Sequence, residues 1–155
     1  MQMNQTEKQR LQSRATASLL CQPGAVVVFD LDDTLVRYTK KSARVPRETW
    51  HALRRLWEGG VSLFIVSYNP LASFLVGQLG LFKYIDKVVS GRPPRTNVID
   101  QLAADADLPT SFFYVDDRPD NIDEVKAKWP GAIGVEVDSK TTVSCPLMVR
   151  AVLES

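Results

Sequence analysis

Two aspartates two positions apart, Asp30 and Asp32, lie in the stretch Phe-Asp-Leu-Asp-Asp-Thr-Leu (29–35), directly after the apolar run Ala25 to Phe29. Side chains at i and i+2 of an extended segment point the same way, so both carboxylates are expected in one small volume. Like charges that close repel unless a proton or a cation lies between them, and a hard divalent ion meets that need. A second acidic pair, Asp116-Asp117, follows Phe112-Phe113-Tyr114-Val115, and Ser67 follows Phe64-Ile65-Val66. Acidic and hydroxyl groups at the ends of apolar runs are the candidates for chemistry.

Five short, nearly continuous apolar runs can carry these groups: Ala25 to Phe29, Val61 to Val66, Tyr84 to Val89, Phe112 to Val115 and Ile133 to Val137. Their composition is that of buried parallel strands. Helical spacing fills the gaps. Arg47 to Glu58 opens after Pro46 and stops at Gly59-Gly60, Leu71 to Leu79 opens after Pro70 and stops at Gly80, Thr96 to Ala106 precedes Leu108-Pro109, and Asn121 to Trp129 stops at Pro130-Gly131. Alternating strand and helix predicts an α/β fold, a doubly wound, Rossmann-like three-layer sandwich with a five-stranded, mainly parallel sheet. Such sheets bind ligands beyond the carboxyl ends of their strands. Here those ends offer Asp30 and Asp32, then Ser67, Tyr68 and Asn69, then Asp116 and Asp117. Residues 1–20 are expected to form a helical extension and Pro146 to Leu153 a short terminal helix.

The 155 residues fit one domain, with a core at about 24–138, and 45% hydrophobic residues at a net charge of +1 describe an ordinary globular chain. That overall charge gives no indication of nucleic acid or an anionic membrane as a partner. Locally the charge is uneven: Arg37, Lys40, Lys41, Arg44, Arg47, Arg54 and Arg55 face Glu48 alone between 37 and 55, whereas 100–138 is rich in Asp. Cys21 and Cys145 have no metal-type spacing and read as free thiols of a reducing compartment. No apolar run reaches the roughly 18 residues of a membrane span, and the polar start is unlike a signal peptide, so a soluble, cytoplasmic protein is expected.

From Val26 to Val137 the chain resembles the haloacid dehalogenase (HAD) superfamily, most of whose members are magnesium-dependent phosphohydrolases. The likeness rests on an ordered set of motifs: Asp30-x-Asp32-x-Thr34, Ser67 at its strand end, and Asp116-Asp117 with Asn121 four residues beyond. It implies Mg²⁺ as cofactor and Asp30 as the nucleophile that forms an aspartyl phosphate. Asp32 is implied as general acid and base, and its backbone carbonyl as a metal ligand. The metal set would be Asp30, the Asp32 carbonyl, Asp117 directly, and Asp116 directly or through water. Ser67 and nearby N–H groups would hold the phosphoryl oxygens, with Tyr68 and Asn69 at the rim, and Thr34 is expected to give a supporting hydrogen bond. Asp33 is expected to turn outward.

The third motif departs from the family pattern, which usually places a Lys where this chain has Ser90-Gly91-Arg92-Pro93-Pro94-Arg95-Thr96. Arg92, by its Gly-x-Pro setting, or Arg95, by its distance before Ile99 and Leu102, would supply the positive charge, with Arg95 preferred. The segments between motifs leave no room for an inserted cap domain, which points to the capless branch of the family. An open site suits a phosphoprotein or another large phosphorylated substrate, although an oligomer can cover such a site. Residues 36–45 are expected to form a flap whose Arg37, Tyr38, Lys40, Lys41 and Arg44 meet an anionic or aromatic group. His51 reads as a surface residue, and Trp50, Trp57 and Trp129 as packing. The alternative is a catalytically weak module of the same fold that binds an anionic or phosphorylated partner. A signalling receiver domain fits less well, because its acidic pair ends the first strand and its phospho-acceptor follows the third.

Overall fold

The computed structural model describes residue 4 and residues 24–154, with side chains through residue 151; the expected helix at 1–20 lies outside these residues, as does Cys21. Five strands, β1 (Val26–Asp30), β4 (Ser62–Ser67), β5 (Lys87–Ser90), β6 (Phe112–Asp116) and β7 (Ala132–Glu136), make one sheet in the order β5-β4-β1-β6-β7. Every pairing in it is parallel. The chain builds outward from β1 on one side and then returns to build from β6 on the other. The strand order therefore reverses between β1 and β6, where the ends of two neighbouring strands diverge and leave a crevice.

Alternation along the strands feeds two apolar layers. Val27, Phe29 and Leu31 pack with Leu63 and Ile65 against α1 (Arg47–Glu58), α2 (Ala72–Gln78) and α5 (Cys145–Glu154). Val26 and Val28 pack with Phe112 and Tyr114 against α3 (Arg95–Ala106) and α4 (Pro119–Lys128). By the same period of two, Asp30 continues the Val26-Val28 side and Asp116 the Phe112-Tyr114 side, so both carboxylates belong to the α3/α4 face.

Between β1 and β4 the described chain contains only a small antiparallel hairpin, β2 (Arg37–Tyr38) with β3 (Ala43–Arg44), and α1. Between β4 and β5 it contains only α2 and a 3₁₀ turn at Leu81–Lys83. Among the described residues there is accordingly no cap domain, and the expected flap is this hairpin. The third strand begins at Lys87 rather than Tyr84. Tyr84 and Ile85 are buried but follow the 3₁₀ turn, and Asp86 meets Leu63 twice, its N–H donating to the Leu63 carbonyl and its carboxylate accepting the Leu63 N–H, both at 2.8 Å. The segment after β7 ties down the loop beyond β1: the Val143 N–H donates to the Thr34 carbonyl (3.0 Å), and the Thr49 hydroxyl donates to the Val143 carbonyl (2.7 Å). No helix of the described residues is long and apolar enough to cross a membrane.

Gly131, in the turn from α4 into β7, lies against the backbone entering β6, where a Cβ would collide with the Thr110 carbonyl. A backbone neighbour cannot rotate away as a side chain can, so Gly131→Ala is expected to lower stability by about 1–3 kcal/mol. Urea denaturation checks this; an unchanged midpoint contradicts it.

Candidate active site

Asp30 ends β1 and Asp116 ends β6, so the reversal of strand order places two buried carboxylates side by side. Asp117 joins them from the next position, and one oxygen from each of the three lies within 4.8 Å of the others. Into this cluster α3 projects Arg95, which is only 2% exposed. Its Nη2 donates to Asp30 Oδ1 at 2.9 Å and lies 3.9 Å from Asp116 Oδ2. The guanidinium also lies over the Tyr68 ring, with Cζ 4.1 Å from the centroid. Nε and Nη1 of Arg95 are buried without a hydrogen-bond partner among the described residues. Orphaned donors of this kind are rare because each forfeits its hydration, and they mark a place where a further acceptor belongs.

The remaining contacts fix the carboxylates. Thr34 Oγ1 donates to Asp30 Oδ2 (3.1 Å) and accepts the Asp117 N–H (3.1 Å), linking the two strand ends through one hydroxyl. Asp116 is held by three donors: the Tyr114 hydroxyl and Asn121 Nδ2 (3.0 Å) on Oδ2, and the Arg118 N–H (2.9 Å) on Oδ1. The start of α3 is pinned in turn by the Arg95 N–H donating to Glu124 Oε2 of α4 at 3.0 Å.

One guanidinium must serve two buried carboxylates and a third, half-buried one, which leaves the cluster negative. Burial, reinforced by Asp116, pushes the Asp30 carboxyl up to about 8, against the opposing pull of Arg95 and Thr34. Asp117 is also raised, by burial first and then by Asp116. Burial alone would lower Arg95, yet Tyr114, Asp30 and Asp116 around it hold it above its ordinary value. Although the Arg95 contact is short, the excess of carboxylates, with Asp116 sharing the same cation, favours a proton on Asp30.

A cavity of about 170 Å³ opens on this cluster and is lined by Asp30, Asp32, Ser67, Tyr68, Arg95 and Asp117, with Asp33, Arg118 and Asn121 at its edge. Ser67 is buried, and its Oγ accepts the Asn69 N–H at 3.0 Å, which leaves its own O–H free to donate. Asp32 lies beyond the strand end, in a turn closed by the Leu35 and Val36 N–H groups donating to the Leu31 carbonyl. Its carboxylate is thus outside the three-oxygen cluster, where it accepts a hydrogen bond from the Tyr38 hydroxyl of β2. Burial and Asp32 together raise the Tyr38 phenol, which stays protonated and able to donate.

Asn69, expected at the phosphate rim, does not line the cavity; its Oδ1 accepts the Leu71 N–H at 2.9 Å, a turn contact leading into α2. Arg92, the other candidate for the third motif, is exposed and does not line the cavity, because the Pro93-Pro94 segment separates it from the helix that carries Arg95 inward. Asp33 is exposed, with φ at +63° in the left-handed region that aspartate tolerates at turns. Tyr114, Arg118 and Glu124 had no role in the sequence reading, and Asn121 had a place but no role. Tyr114 was within reach of the period-two argument, being two residues before Asp116 on the same side of β6; the Arg118 contact is made by backbone and leaves no signal in residue type.

The donors suit a hard divalent cation. Three carboxylate oxygens converge, Asp117 is only half-buried, and the cluster carries more negative charge than Arg95 balances. Asp116 already accepts three hydrogen bonds and Asp30 two, so each keeps acceptor capacity for an ion, Asp116 the less of the two.

No family model and no curated protein matches the chain. Solved structures do. The N-terminal part of a Bacteroides fragilis protein, containing a phosphatase domain complexed with Mg, superposes with a TM-score of 0.65 at 15% identity over 87% of this chain and 42% of that one. The chain thus spans less than half of that structure. A HAD-superfamily hydrolase from Ehrlichia chaffeensis gives 0.65 at 13% identity, covering 86% of this chain and 97% of its own. The chain has the fold of HAD-superfamily hydrolases. A third similar structure, the 3-deoxy-D-manno-octulosonate (KDO) 8-phosphate phosphatase of Moraxella catarrhalis in complex with magnesium, phosphate and KDO, gives 0.54 at 15% identity over 87% of this chain and 91% of that one. The HAD-like fold agrees with the sheet order and with the diverging strand ends described above.

Asp30 has a folded pKa raised above its unfolded value of 3.8, so the folded metal-free protein binds more protons than the unfolded chain between about pH 4 and 8, and stability falls as pH rises through that window. In metal-free protein, Asp30→Asn is expected to flatten that fall and to be more stable than wild type at pH 8, by about 1 kcal/mol or more. Denaturation at pH 5 and pH 8 checks the sign; a wild type more stable than the variant at pH 8 contradicts it.

Proposed function

We propose that this chain is a magnesium-dependent phosphomonoester hydrolase that works through an aspartyl phosphate on Asp30. The observation that carries this reading is the cavity itself: the Asp30, Asp116 and Asp117 carboxylates converge at it, and a buried arginine that meets Asp30 and Asp116 keeps two unpartnered donors there, beside a serine hydroxyl free to donate. A phosphoryl group is the ligand that answers all of these at once, since its oxygens accept from Arg95 and Ser67 while its phosphorus faces a carboxylate.

When bound, Mg²⁺ would be held by Asp30 and Asp117 and would supply positive charge to the phosphoryl oxygens while keeping Asp30 ionised. An Asp30 oxygen attacks phosphorus, and the bond from phosphorus to the ester oxygen breaks, its electron pair leaving with that oxygen. Asp32, oriented by the Tyr38 hydroxyl, gives the departing oxygen its proton. The Asp32 carboxylate then takes a proton from water, whose oxygen attacks phosphorus and breaks the bond to Asp30, releasing inorganic phosphate. Thr34 holds Asp30 through both halves, and Arg95 neutralises the site in the place where the family usually has a lysine.

The cavity of about 170 Å³ has room for a phosphoryl group and little more, so the rest of the ester lies outside, against the β2-β3 hairpin and the Tyr68 side. With no cap over it, the site suits a phosphoprotein or another large phosphorylated substrate. The Moraxella structure holds a small sugar acid, and that class is the comparison a substrate panel must include. The second reading, a weakly catalytic module that holds an anion, is favoured by the direct hydrogen bond from Arg95 to Asp30, which occupies the nucleophile.

With p-nitrophenyl phosphate and Mg²⁺, wild type is expected to turn over, Asp30→Asn to lose activity completely, and Ser67→Ala to lose about 10²-fold or more in kcat/KM. Binding of phosphate without turnover in the wild type would instead establish the module. In a panel run under the same conditions, phosphopeptides are expected to exceed KDO 8-phosphate in kcat/KM; the reverse order overturns the reading of a large substrate.

A further inference from the structure

A second concavity, of about 520 Å³, lies on the flank of the molecule between α1 and the 3₁₀ turn at Leu81–Lys83, and shares no lining residue with the carboxylate cavity. Its walls carry four basic side chains, Arg47, His51 and Arg54 from α1 and Lys83 from the facing turn, around Trp50 and Tyr84. Among the described residues no carboxylate lines it. We infer that this groove binds a multiply charged phosphate anion of the oligophosphate class, either free or as the phosphate chain of a nucleotide.

Helix geometry makes the cluster a consequence of sequence. Positions 47, 50, 51 and 54 follow the i, i+3, i+4, i+7 spacing of one face, while Thr49, Ala52, Leu53 and Leu56 take the buried face. Arg47 and His51 are i, i+4 neighbours of like kind, a pairing that gives a helix no support of its own when both are charged. Arg54 has one partner, Glu58, which its Nε meets at 2.8 Å. Arg47 and Lys83 have no carboxylate within ion-pair distance among the described residues. Glu48, the nearest acid in sequence, is one position off the stripe and is not part of the lining. From Arg47 to Arg54 the stripe runs about 10 Å along the helix axis, a length that one phosphate leaves unfilled and a chain of two or three phosphates spans.

The floor adds a second feature. Trp50 meets Tyr84 edge-on with ring centroids 6.0 Å apart, Trp57 meets the same ring at 5.5 Å, and Lys83 Nζ lies 5.5 Å from its centroid. Tyr84 is buried and Trp50 half-buried, so Lys83 stands over an aromatic floor while Arg47, His51 and Arg54 line the exposed wall beside it. Gly80, in the left-handed region at φ +76°, turns the chain from α2 into this wall and leaves open space where a Cβ would stand.

The groove is independent of the hydrolase reading, and its test uses chelator-treated, dialysed protein without divalent ions. Tripolyphosphate is titrated at low ionic strength while the tryptophan indole N–H signals are followed by NMR. The expected result is saturable movement of the Trp50 signal with the Trp129 signal unmoved, and affinity lowered at least about tenfold in Arg47→Gln/Lys83→Gln. Both of these side chains are exposed, and circular dichroism confirms that the variant folds. Lys126→Gln/Lys140→Gln removes the same charge elsewhere and is expected to leave the affinity unchanged. ATP binding more tightly than tripolyphosphate would assign the ligand as a nucleotide, and equal affinity as the free oligophosphate. No saturable Trp50 shift, or an equal loss in the Lys126/Lys140 variant, overturns the site.

Discussion

The structure depends on an unequal match of buried charge: among the described residues Arg95 is the one cation paired with Asp30 and Asp116, with Asp117 close by. A fully compensated buried ion pair is nearly neutral in stability, whereas an uncompensated buried charge is destabilising, and its removal or neutralisation is favoured. Without a cation, this site relieves the imbalance with a proton on Asp30. Neighbouring contacts spread the strain across fixed donors, with Thr34 on Asp30 and with Tyr114, Asn121 and the Arg118 backbone on Asp116. The result is a cluster that gains from a cation at Asp117 and from an acceptor at the free side of Arg95. A phosphate monoester with a divalent ion brings both.

That imbalance depends on the fold rather than on any one loop. Because β1 and β6 lie side by side, their terminal carboxylates Asp30 and Asp116 become neighbours, and α3, on the same face of the sheet, sends Arg95 to both. The segment after β7 reaches back to the Thr34 carbonyl, so the loop that carries Asp32 and Thr34 is held from both ends. The far flank of the sheet, covered by α1 and α2, carries the opposite charge character: the basic groove there has Lys83 over an aromatic floor and, among the described residues, no carboxylate in its lining. The small net charge of the chain thus conceals two poles of opposite sign.

The sheet was legible because buried parallel strands are continuous apolar runs, and four of the five appear within one residue of where their composition puts them. The Tyr84 to Val89 run was the exception: burial of Tyr84 and Ile85 comes from packing at a turn, and periodicity cannot separate that from a strand. At the site, Asp30, Ser67 and Asp117 were legible as strand ends. The i, i+2 argument for Asp30 and Asp32 holds only while the chain stays extended, and it turns at Leu31, so the two carboxylates share a cavity without sharing a cluster. Arg92 and Arg95 were separable only by where the helix begins, since residue type is identical. Asn69 was legible equally as a rim residue and as a turn residue, and its Oδ1 takes the turn bond.

The most direct test of the charge imbalance is calorimetric titration of Mg²⁺ into the wild-type chain and into Asp117→Asn near pH 7. One ion per chain, bound with release of a proton and lost in the variant, is the predicted result, because the incoming ion displaces the proton that the excess of carboxylates holds on Asp30. Mg²⁺ binding that is undiminished in Asp117→Asn, or no binding to the wild type, would contradict the account.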